Sequence, residues 1–515
     1  MPPFPFLATT LFVLFFCTFG RPQHVAIVGA GMGGAASAYF LRELLGNNAT
    51  ITVIEQSARV GGRAENVSYI NTTTTVPLEI GASILYTGNE HLMTAVRTLK
   101  LHAAPPVFES EAGTSGIWDG SRLVFQSSSW SFLTAMRVLW RYGLGMFRLR
   151  RVVRQTLRKF RQIYALQGTA GSPVRVAYET PEALWGALDL LHLTKVSLRD
   201  YLASQGVGLP DSKLVTEFVG SIQRVNYNAN NDLNALAGLV SLIPMVTGEV
   251  VSLTEGNAAL AVSMLKAAEA RVLQGVRVGE VEVVRGGAES GYRLVQDDGR
   301  LVRTEGDKEK GENEAFDVVI VATPFAFSSL RVIEREKGAN DERQQASALS
   351  PPPAAFTTTH ASFVQGRVRP GFFGPSTTRE DRVPTSVYVV ENSSVPISSL
   401  SLHVWINATE RTGIYKLFSS ALLTDSFLDD MFFTGWSLLH HRKWKAYPSY
   451  HPPEAMTPFL VVPGERICYV NALETAVSAM EISAIAAQNC ALLLSRDFED
   501  KMANVDEQRE KMEEL

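Results

Sequence analysis

The sequence has only three cysteines among 515 residues, too few for a scaffold framed by disulfides. It also lacks an excess of charge: 48 Lys and Arg against 52 Asp and Glu give a net charge of −4, so no global basic field points to nucleic acid. The nine histidines are scattered, and neither a catalytic triad nor a metal-binding cluster is evident. With 46% hydrophobic residues, the composition is that of a globular protein with room for two large domains.

Long apolar runs are also scarce, and the clearest one lies at the N-terminus, over residues 6–19. It is too short to span a bilayer comfortably, and Thr18 and Gly20 sit two residues apart, as a signal peptidase site requires. No Lys or Arg precedes the run, so a signal anchor is the alternative. We expect a signal peptide over 1–20, because a strand beginning at His24 leaves no room for a stalk. The predicted location is the secretory pathway.

Five sequons agree with a lumenal location and mark predicted glycosylation sites at Asn48, Asn66, Asn71, Asn392 and Asn407. Once the signal peptide is removed, Cys468 and Cys490 remain. The lumen would permit a disulfide, but we expect two buried thiols, because a pair of cysteines in a large domain is more often packed as apolar groups.

A glycine-rich turn follows the first predicted strand and opens a helix over about 33–45. The G-x-G-x-x-G spacing permits a tight turn, close approach to a pyrophosphate and packing of the helix, whose N-terminus favours phosphate. An acid at the end of the second strand can accept both hydroxyls of an adenosine ribose. The residues concerned are Gly29, Gly31, Gly33, Gly34 and Glu55. They predict a parallel α/β sheet with a dinucleotide site, the alternative being a glycine turn without ligand, and they do not separate NAD from FAD.

Several later segments resemble the amine-oxidase-like flavoproteins. Gly61-Gly62-Arg63 continues the dinucleotide motif of that group, where the backbone and the Arg serve the FAD phosphates. Gly81 and Ala82 resemble its segment along the flavin ribityl chain, and residues 317–324 (DVVIVATP) resemble its later strand that ends over the cofactor. By the same resemblance, Val276 begins a strand that faces the adenine. The resemblance implies FAD.

The segment from Asn471 to Met480 completes this resemblance. In these folds a strand ends here, and the next helix points its N-terminus at the flavin N1–C2=O edge, where the positive dipole end stabilises the reduced anion. The usual Gly-Asp is replaced by Asn471-Ala472, which alters the contact to the cofactor. No cysteine-containing attachment motif is apparent, so we expect non-covalent FAD.

A narrower resemblance, to the prenylcysteine oxidase and prenylcysteine oxidase-like family, extends from about residue 24 to 494. It is carried by LWRYG, KFRQIY, RVNY, DLNA, WKAY with PPE, and SAMEISAIAA, at residues 139–143, 159–164, 224–227, 232–235, 444–454 and 478–487. Membership implies a lysosomal or secreted flavoprotein. It also implies that prenylcysteine is oxidised with O2 to cysteine, a prenyl aldehyde and hydrogen peroxide.

One departure keeps alternatives open: the family has Glu-Gly-Gly-Asn-Lys-Leu where this chain has Thr254-Glu255-Gly256-Asn257-Ala258-Ala259. The leading interpretation is a thioether oxidase acting on farnesyl- or geranylgeranylcysteine. The others are an FAD amine oxidase or desaturase for another lipid-like amine, and a flavin-binding paralogue with reduced or no activity. The altered turn favours the last of these.

The substrate-binding residues are less well marked. Candidate pocket walls are Trp185, Leu188, Leu191, Phe218 and Tyr227, although their helical spacing equally fits plain core. Arg224, Asn226 and Tyr227 are the catalytic candidates, since RVNY lies beside a predicted helix end and could receive the amino-acid group. The alternative is a structural hydrogen-bonding corner.

The segment 128–167 is basic, with many Arg, no acid and interleaved Trp, Phe, Leu and Met residues. It predicts docking on an anionic membrane or a lipoprotein surface, the alternative being a solvated basic face over a packed one.

The predicted architecture is an FAD-binding Rossmann-type, amine-oxidase-like domain plus an α+β substrate domain. We assign 21–100, 251–330 and 451–495 to the FAD-binding domain. The substrate domain takes a helical part, 101–250, and a β-rich part, 331–450, and a charged tail covers 496–515.

Overall fold

The computed structural model describes residues 23–70, 75–106, 113–128, 130–168, 174–248, 250–285, 291–302, 315–328, 330–335, 355–379, 383–452 and 455–495. The predicted signal peptide, the sequon at Asn71, most of the charged segment 303–315 and the tail lie outside these ranges.

The strands are β1 (Gln23–Val28), β2 (Ala49–Glu55), β3 (Glu65–Ile70), β4 (Thr75–Gly81), β5 (Leu85–Tyr86), β6 (Ala103–Ala104), β7 (Ser115–Trp118), β8 (Leu123–Gln126), β9 (Val250–Leu253), β10 (Arg271–Gln274), β11 (Val278–Val284), β12 (Gly291–Gln296), β13 (Val318–Val321), β14 (Arg331–Arg335), β15 (Phe356–Gly366), β16 (Ser386–Val389), β17 (Ile397–Asn407), β18 (Thr412–Ser419), β19 (Ser437–Pro448) and β20 (Ile467–Tyr469).

The α-helices are α1 (Met32–Leu45), α2 (Glu90–Thr98), α3 (Ser131–Tyr142), α4 (Gly145–Phe160), α5 (Gln162–Leu166), α6 (Pro181–Ala187), α7 (Leu198–Ser204), α8 (Gly220–Tyr227), α9 (Ala235–Thr247), α10 (Ala258–Ala267), α11 (Asp425–Met431) and α12 (480–495). A π-helical stretch, Leu214–Val219, leads into α8.

A five-stranded parallel sheet in the order β10-β2-β1-β13-β20 forms the centre of the first half of the fold. Its strands are continuous apolar runs such as VVIV in β13, all four residues of which are buried, because parallel sheets are covered on both faces. Helix α1 connects β1 to β2, which confirms the predicted strand–turn–helix–strand unit. The strand predicted to begin at Gly275 and Val276 begins only at Val278. Gly275 and Val276 form the turn between β10 and β11, with Gly275 at φ +73°.

The last strand of this sheet is covalently linked to the last helix. Cys468 of β20 and Cys490 of α12 form a disulfide, and both are fully buried. The expectation of two free thiols was therefore wrong. Sequence spacing could not reveal the pairing, because it depends on how α12 packs back against β20.

A seven-stranded sheet in the order β19-β15-β18-β17-β16-β7-β8 forms the centre of the second half. All its pairs are antiparallel except β16 with β7. Strands β7 and β8 come from a stretch predicted to be mostly helical. That prediction was wrong there, because these short segments gain their stability from pairing with β16 rather than from their own pattern.

The helices α3 to α9 form the helical layer of the fold. Helix α9 is apolar over most of its surface and packs against α4, whose buried face consists of Leu149, Val152, Val153, Thr156 and Phe160. Within the described ranges, we find no helix with both the length and the apolar character needed to cross a bilayer.

Candidate active site

A cavity of about 870 Å³ is lined by residues of both sheets and of the helical layer. One end is formed by the glycine turn after β1, the 61–63 turn and the start of α12. The other is formed by β17, β18, β19 and the helices α8 and α9. The predicted dinucleotide site and two of the predicted substrate residues, Asn226 and Tyr227, therefore line one space.

Three of the four glycines in the turn lie too close to neighbouring atoms to carry a side chain. Gly29 adopts φ +107°, and a Cβ there would lie 3.0 Å from the carbonyl oxygen of Ala322. A Cβ on Gly34 would lie 1.9 Å from the Gly29 carbonyl oxygen, and one on Gly33 would lie 2.8 Å from Val470 Cγ1. Gly31 has no such contact, its nearest neighbour being Gly62 Cα at 3.7 Å, and it lines the cavity. The first, third and fourth glycines thus serve packing, while the second keeps the cavity side clear.

The second glycine turn is fastened to the first. The Gly61 N–H donates to the Ala30 carbonyl at 2.9 Å, and both Gly61 and Gly62 have positive φ. A Cβ on Gly62 would approach Gly31 Cα to 3.0 Å. Two loops that are separate in sequence therefore form one backbone cradle.

Glu55, at the end of β2, is buried and oriented by three donors. The Ala30 N–H donates to Oε2 at 2.8 Å, and the N–H and hydroxyl of Ser57 donate to Oε1 at 2.9 and 2.8 Å. Oε1 thus accepts two hydrogen bonds, whereas Oε2 accepts one and keeps further acceptor capacity. Val276 lines a small recess beside Glu55, and its N–H donates to the Glu55 carbonyl at 3.0 Å. The arrangement fits an adenosine, with the ribose on Glu55.

Two arginines of the cradle are already paired within the protein. Arg63 forms an ion pair with Glu474 and donates to the Ala446 carbonyl at 2.9 Å. Arg59 pairs with Glu65 at 2.6 Å and donates to the Gly62 carbonyl. Arg63 lines the cavity, as the prediction requires, but much of its charge is balanced by Glu474. A phosphate bound at this site would therefore depend chiefly on backbone N–H groups.

The start of α12 reaches the same cavity. Met480 lines it together with Gly29, and Ser483 lies next to Gly33. Asn471 also lines it and donates from Nδ2 to Glu474 at 2.8 Å, while its buried Oδ1 has no partner among the described residues. A buried carbonyl oxygen that lines the cavity without a protein donor can accept a hydrogen bond from a bound molecule. The cradle, Glu55 and this orphaned oxygen fit FAD.

Glu481, which follows Met480 in α12, is buried and lies at the N-terminus of α2. It accepts the N–H groups of His91 and Leu92 at 3.0 and 3.1 Å, and burial raises the pKa of its carboxyl to about 7. The His91 ring contacts Gln167 at 3.1 Å, and burial lowers the pKa of His91 to about 4. This network fixes the first turn of α12 to α2.

Sequence reasoning missed a buried cation that lines the cavity beside the Gly81-Ala82 segment. Lys416, on β18, is only 2% exposed and donates from Nζ to the Glu79 carbonyl at 2.6 Å and to Ser83 Oγ at 2.7 Å. Nζ also lies 4.3 Å from the centre of the Phe418 ring. Burial lowers the pKa of Lys416 to about 7, against the attraction of Glu79. The one signal in the sequence was a Lys at an inward position of an otherwise apolar strand.

Glu79 and Asn257 connect this cation to the segment predicted to follow the ribityl chain. Burial raises the pKa of the Glu79 carboxyl to about 7, although it accepts the Asn257 N–H at 2.7 Å. The Asn257 side chain donates to the Ala82 carbonyl at 2.7 Å and accepts the Leu253 N–H at 2.9 Å. Despite its departure from the family pattern, the turn at Gly256-Asn257 holds Glu79 and Ala82 in place. Gly81 and Ala82 both line the cavity.

The RVNY segment is divided between two roles. Tyr227 lines the cavity, donates to the Ser478 carbonyl at 3.0 Å and packs edge-on against Tyr447 and Tyr450. Asn226 also lines it and donates to the Ser241 carbonyl at 3.1 Å. Arg224 does not line the cavity: it donates to three carbonyls of the β-rich half, those of Val390, Ser393 and Ile397. For Arg224 the structural alternative is the correct one.

The predicted pocket walls are mostly core. Trp185 and Leu188 are fully buried, and Leu191 and Phe218 pack against the same core without lining the cavity. Helical spacing could not separate these cases, because an inward face is apolar whether it meets a neighbour or a void. The apolar and aromatic side chains that do line the cavity include Ile222, Val225, Tyr227, Val240, Ile243, Met245, Phe327, Phe418, Trp444 and Tyr447.

The predicted glycosylation sites differ in exposure. Asn48, Asn392 and Asn407 are exposed, at a turn or a strand end. Asn66 is half-buried on β3, and a Cβ on Gly256 would lie 2.3 Å from its Nδ2. A glycan on Asn66 would therefore displace the turn that holds Glu79.

Comparisons with known proteins agree with this description. The prenylcysteine lyase family model matches residues 125–508, and an NAD(P)-binding Rossmann-like domain model matches residues 27–99. The chain is 29% identical to farnesylcysteine lyase of Arabidopsis thaliana, over 93% of this chain and 89% of that protein. It is 28% identical to human prenylcysteine oxidase 1, over 92% and 88%.

Among solved structures, a CLA-producing fatty acid isomerase from P. acnes superposes with a TM-score of 0.56 at 13% identity, covering 93% of this chain and 99% of that one. Cyclohexylamine oxidase from Brevibacterium oxydans gives 0.54 at 15% identity, covering 93% and 100%. These likenesses confirm the predicted fold class. Because the prenylcysteine lyase model matches most of the chain, the protein belongs to the prenylcysteine lyase family.

Proposed function

We propose that this protein is an FAD-dependent thioether oxidase that cleaves farnesyl- or geranylgeranylcysteine. The observation that carries the proposal is that a dinucleotide cradle and many apolar and aromatic side chains line the same cavity. An allylic isoprenoid needs such a wall, and oxidation of its thioether carbon needs a redox cofactor at one end. The names of the relatives, farnesylcysteine lyase and prenylcysteine oxidase 1, support the same substrate.

The proposed reaction balances with water and one O2. FAD held by the cradle would supply a two-electron acceptor for the hydride of the carbon between sulfur and the alkene, with O2 as the final oxidant and hydrogen peroxide as its product. Water adds to the oxidised carbon, and the C–S bond then breaks to give the prenyl aldehyde and the cysteine thiol. Both sulfur and the alkene stabilise the electron-poor carbon, so the chain needs to position the substrate more than to supply a strong acid or base.

The described residues suit that positioning role. Tyr227 and Tyr447 form an aromatic corner beside the start of α12, and the Ile222, Val240 and Ile243 side chains can receive the isoprenoid. We also propose that FAD is held without a covalent bond, since no cysteine is found among the described residues that line the cavity.

One anaerobic titration tests the proposal. The protein is purified from a secretory host, its visible flavin band is recorded, and farnesylcysteine is added without oxygen. We expect the band to bleach and to return on admitting O2, with one hydrogen peroxide per aldehyde. Farnesol, which lacks the sulfur, is the control and should leave the band unchanged. Bleaching by amines alone would establish an amine oxidase instead, and an unbleachable or colourless protein would establish an inactive paralogue.

We further propose that the protein works in the secretory pathway, in the lysosome or after secretion. The buried disulfide and the exposed sequons at Asn48, Asn392 and Asn407 support this location. Endoglycosidase treatment of the secreted protein should remove mass, and the triple Asn→Gln variant at these positions should lose that shift. Unchanged migration of the wild-type protein would contradict the proposal.

A further inference from the structure

Helix α3 carries its apolar residues on the outside. Among its twelve residues, Tyr142 alone is buried. Trp140 is 90% exposed, Phe132 70% and Met136 51%, and the spacing of these three positions places them on one side of the helix. Trp130, Leu133, Leu139, Leu144 and Phe147 extend this exposed apolar surface, which we call the α3 face. Soluble proteins rarely expose so many large apolar groups together unless something covers them.

Next to the α3 face, α4 presents an exposed basic side. Its buried side packs on α9, and its outer side carries the exposed Arg148, Arg150, Arg151, Arg154 and Arg158. Within the ranges that the structure describes, the last four form no ion pair. The segment 130–161 contains no Asp or Glu, so the two helices together present an apolar surface beside an uncompensated positive one.

The α3 face is fixed to the body rather than held on a loose loop. Arg141 makes two hydrogen bonds to the Glu217 carboxylate, at 2.6 and 2.7 Å. The buried Tyr142 ring packs against Phe125 and Phe218. At the other end, the Ser128 N–H donates to Thr134 Oγ1 at 2.8 Å. The exposure is thus a property of the folded protein, and burying the face would require no refolding.

We infer that α3 and the outer side of α4 dock this protein on the surface of an anionic phospholipid bilayer. Trp and Phe enter the boundary between headgroups and acyl chains, while Arg side chains reach back to the phosphates, which is how amphipathic helices lie on membranes. The location also suits a lipid-derived ligand: α9 packs against α4, and its Met245 both lines the cavity and is 44% exposed. One layer of helix therefore separates the docking surface from the cavity.

A second copy of the chain fits the α3 face and the basic side of α4 less well than a membrane does. In a two-fold dimer the same patch meets itself, which would bring the unpaired arginines of both copies together without an acid between them. An anionic bilayer supplies both an apolar layer and negative charge. Docking rests on the surface alone and does not depend on the proposed reaction, so its test needs no turnover.

Vesicle co-sedimentation of the flavin-loaded secreted protein tests the inference. We expect binding to vesicles of phosphatidylcholine with phosphatidylglycerol, and at least tenfold weaker binding to phosphatidylcholine alone or in high salt. Phe132→Ser with Trp140→Ser, and separately Arg150→Glu with Arg151→Glu, should each weaken binding at least tenfold. All these positions are exposed, and retention of flavin and of the far-UV spectrum checks that the variants fold.

Matched controls lie elsewhere on the surface. Leu209→Ser with Leu422→Ser changes two exposed leucines, and Lys100→Glu with Lys266→Glu reverses two exposed charges, so neither should alter binding. Equal binding by the α3 variants and their controls would overturn the inference, as would failure of the parent protein to sediment with anionic vesicles. A dimer that becomes a monomer in Phe132→Ser with Trp140→Ser, without vesicle binding by the parent, would assign the face to self-association instead.

Discussion

Two parts of the cavity wall differ in whether backbone or side chains form them. At the dinucleotide end, the turns at 29–34 and 61–63 lie against each other and contribute mainly backbone. Around Lys416 the wall instead depends on a side chain that reaches a remote part of the chain: its ammonium donates to the Glu79 carbonyl, 337 residues away. A backbone-built site fails when a side chain is added, whereas a side-chain-built site fails when one is removed.

The largest expected effect is at the backbone-built part. Gly34→Ala places a Cβ 1.9 Å from the Gly29 carbonyl oxygen, so we expect a loss of more than about 3 kcal/mol of unfolding free energy and purification without flavin. Bound flavin per chain and urea unfolding measure both. Gly186→Ala is the control, because a Cβ there meets nothing within 4 Å and the stability should hold or rise. A yellow, stable Gly34→Ala protein would contradict the steric role of this glycine.

At the side-chain-built part, Lys416→Met should cost about 3 kcal/mol, because it leaves the Glu79 carbonyl and the buried Glu79 carboxyl without the cation. Urea unfolding at pH 7 measures the loss. Glu79→Gln in the Lys416→Met background removes the second charge and should recover part of it. Equal stability of the parent and Lys416→Met would show that the buried cation is dispensable for the fold.

The buried Glu481 carboxyl should make the free energy of unfolding depend on pH. Its folded pKa is raised to about 7, so its contribution to stability is complete below the unfolded value near 4.5 and is lost as the pH rises through 7. Relative to Glu481→Gln, the parent should therefore lose roughly 2–3 kcal/mol between pH 5 and pH 8. His91, whose pKa is lowered, has the opposite dependence but is present in both proteins. Parallel pH profiles of the two proteins would refute the assignment.

The smallest expected effect concerns the ribose acceptor. Glu55→Gln keeps the shape but removes the negative charge that three donors orient, so we expect FAD to bind roughly tenfold more weakly, about 1.4 kcal/mol. Fluorescence titration of the apoprotein measures this affinity. Glu182→Gln, at a half-buried helix position outside the cavity, should leave it unchanged.

What could be predicted follows the same division. The glycine turns and Glu55 were located from sequence because local spacing determines their geometry. Lys416, the disulfide of Cys468 with Cys490 and the division of RVNY could not be, because each depends on which distant segment packs opposite. The segment 128–167 was identified from its charge. The outward direction of its aromatic residues could not be predicted, because it follows from the structure, in which α4 packs on the core and α3 is left uncovered.

The strand order of the parallel sheet also has a consequence for biogenesis. Strand β1, from residues 23–28, lies next to β13, and β13 is completed on its other side by β20, from residues 467–469. A growing chain therefore emerges from the ribosome with its glycine turn long before the strand and helix that close the cavity. We therefore expect the cavity to be completed only after nearly the whole polypeptide has been released, with the β13 edge of the sheet unpaired until then.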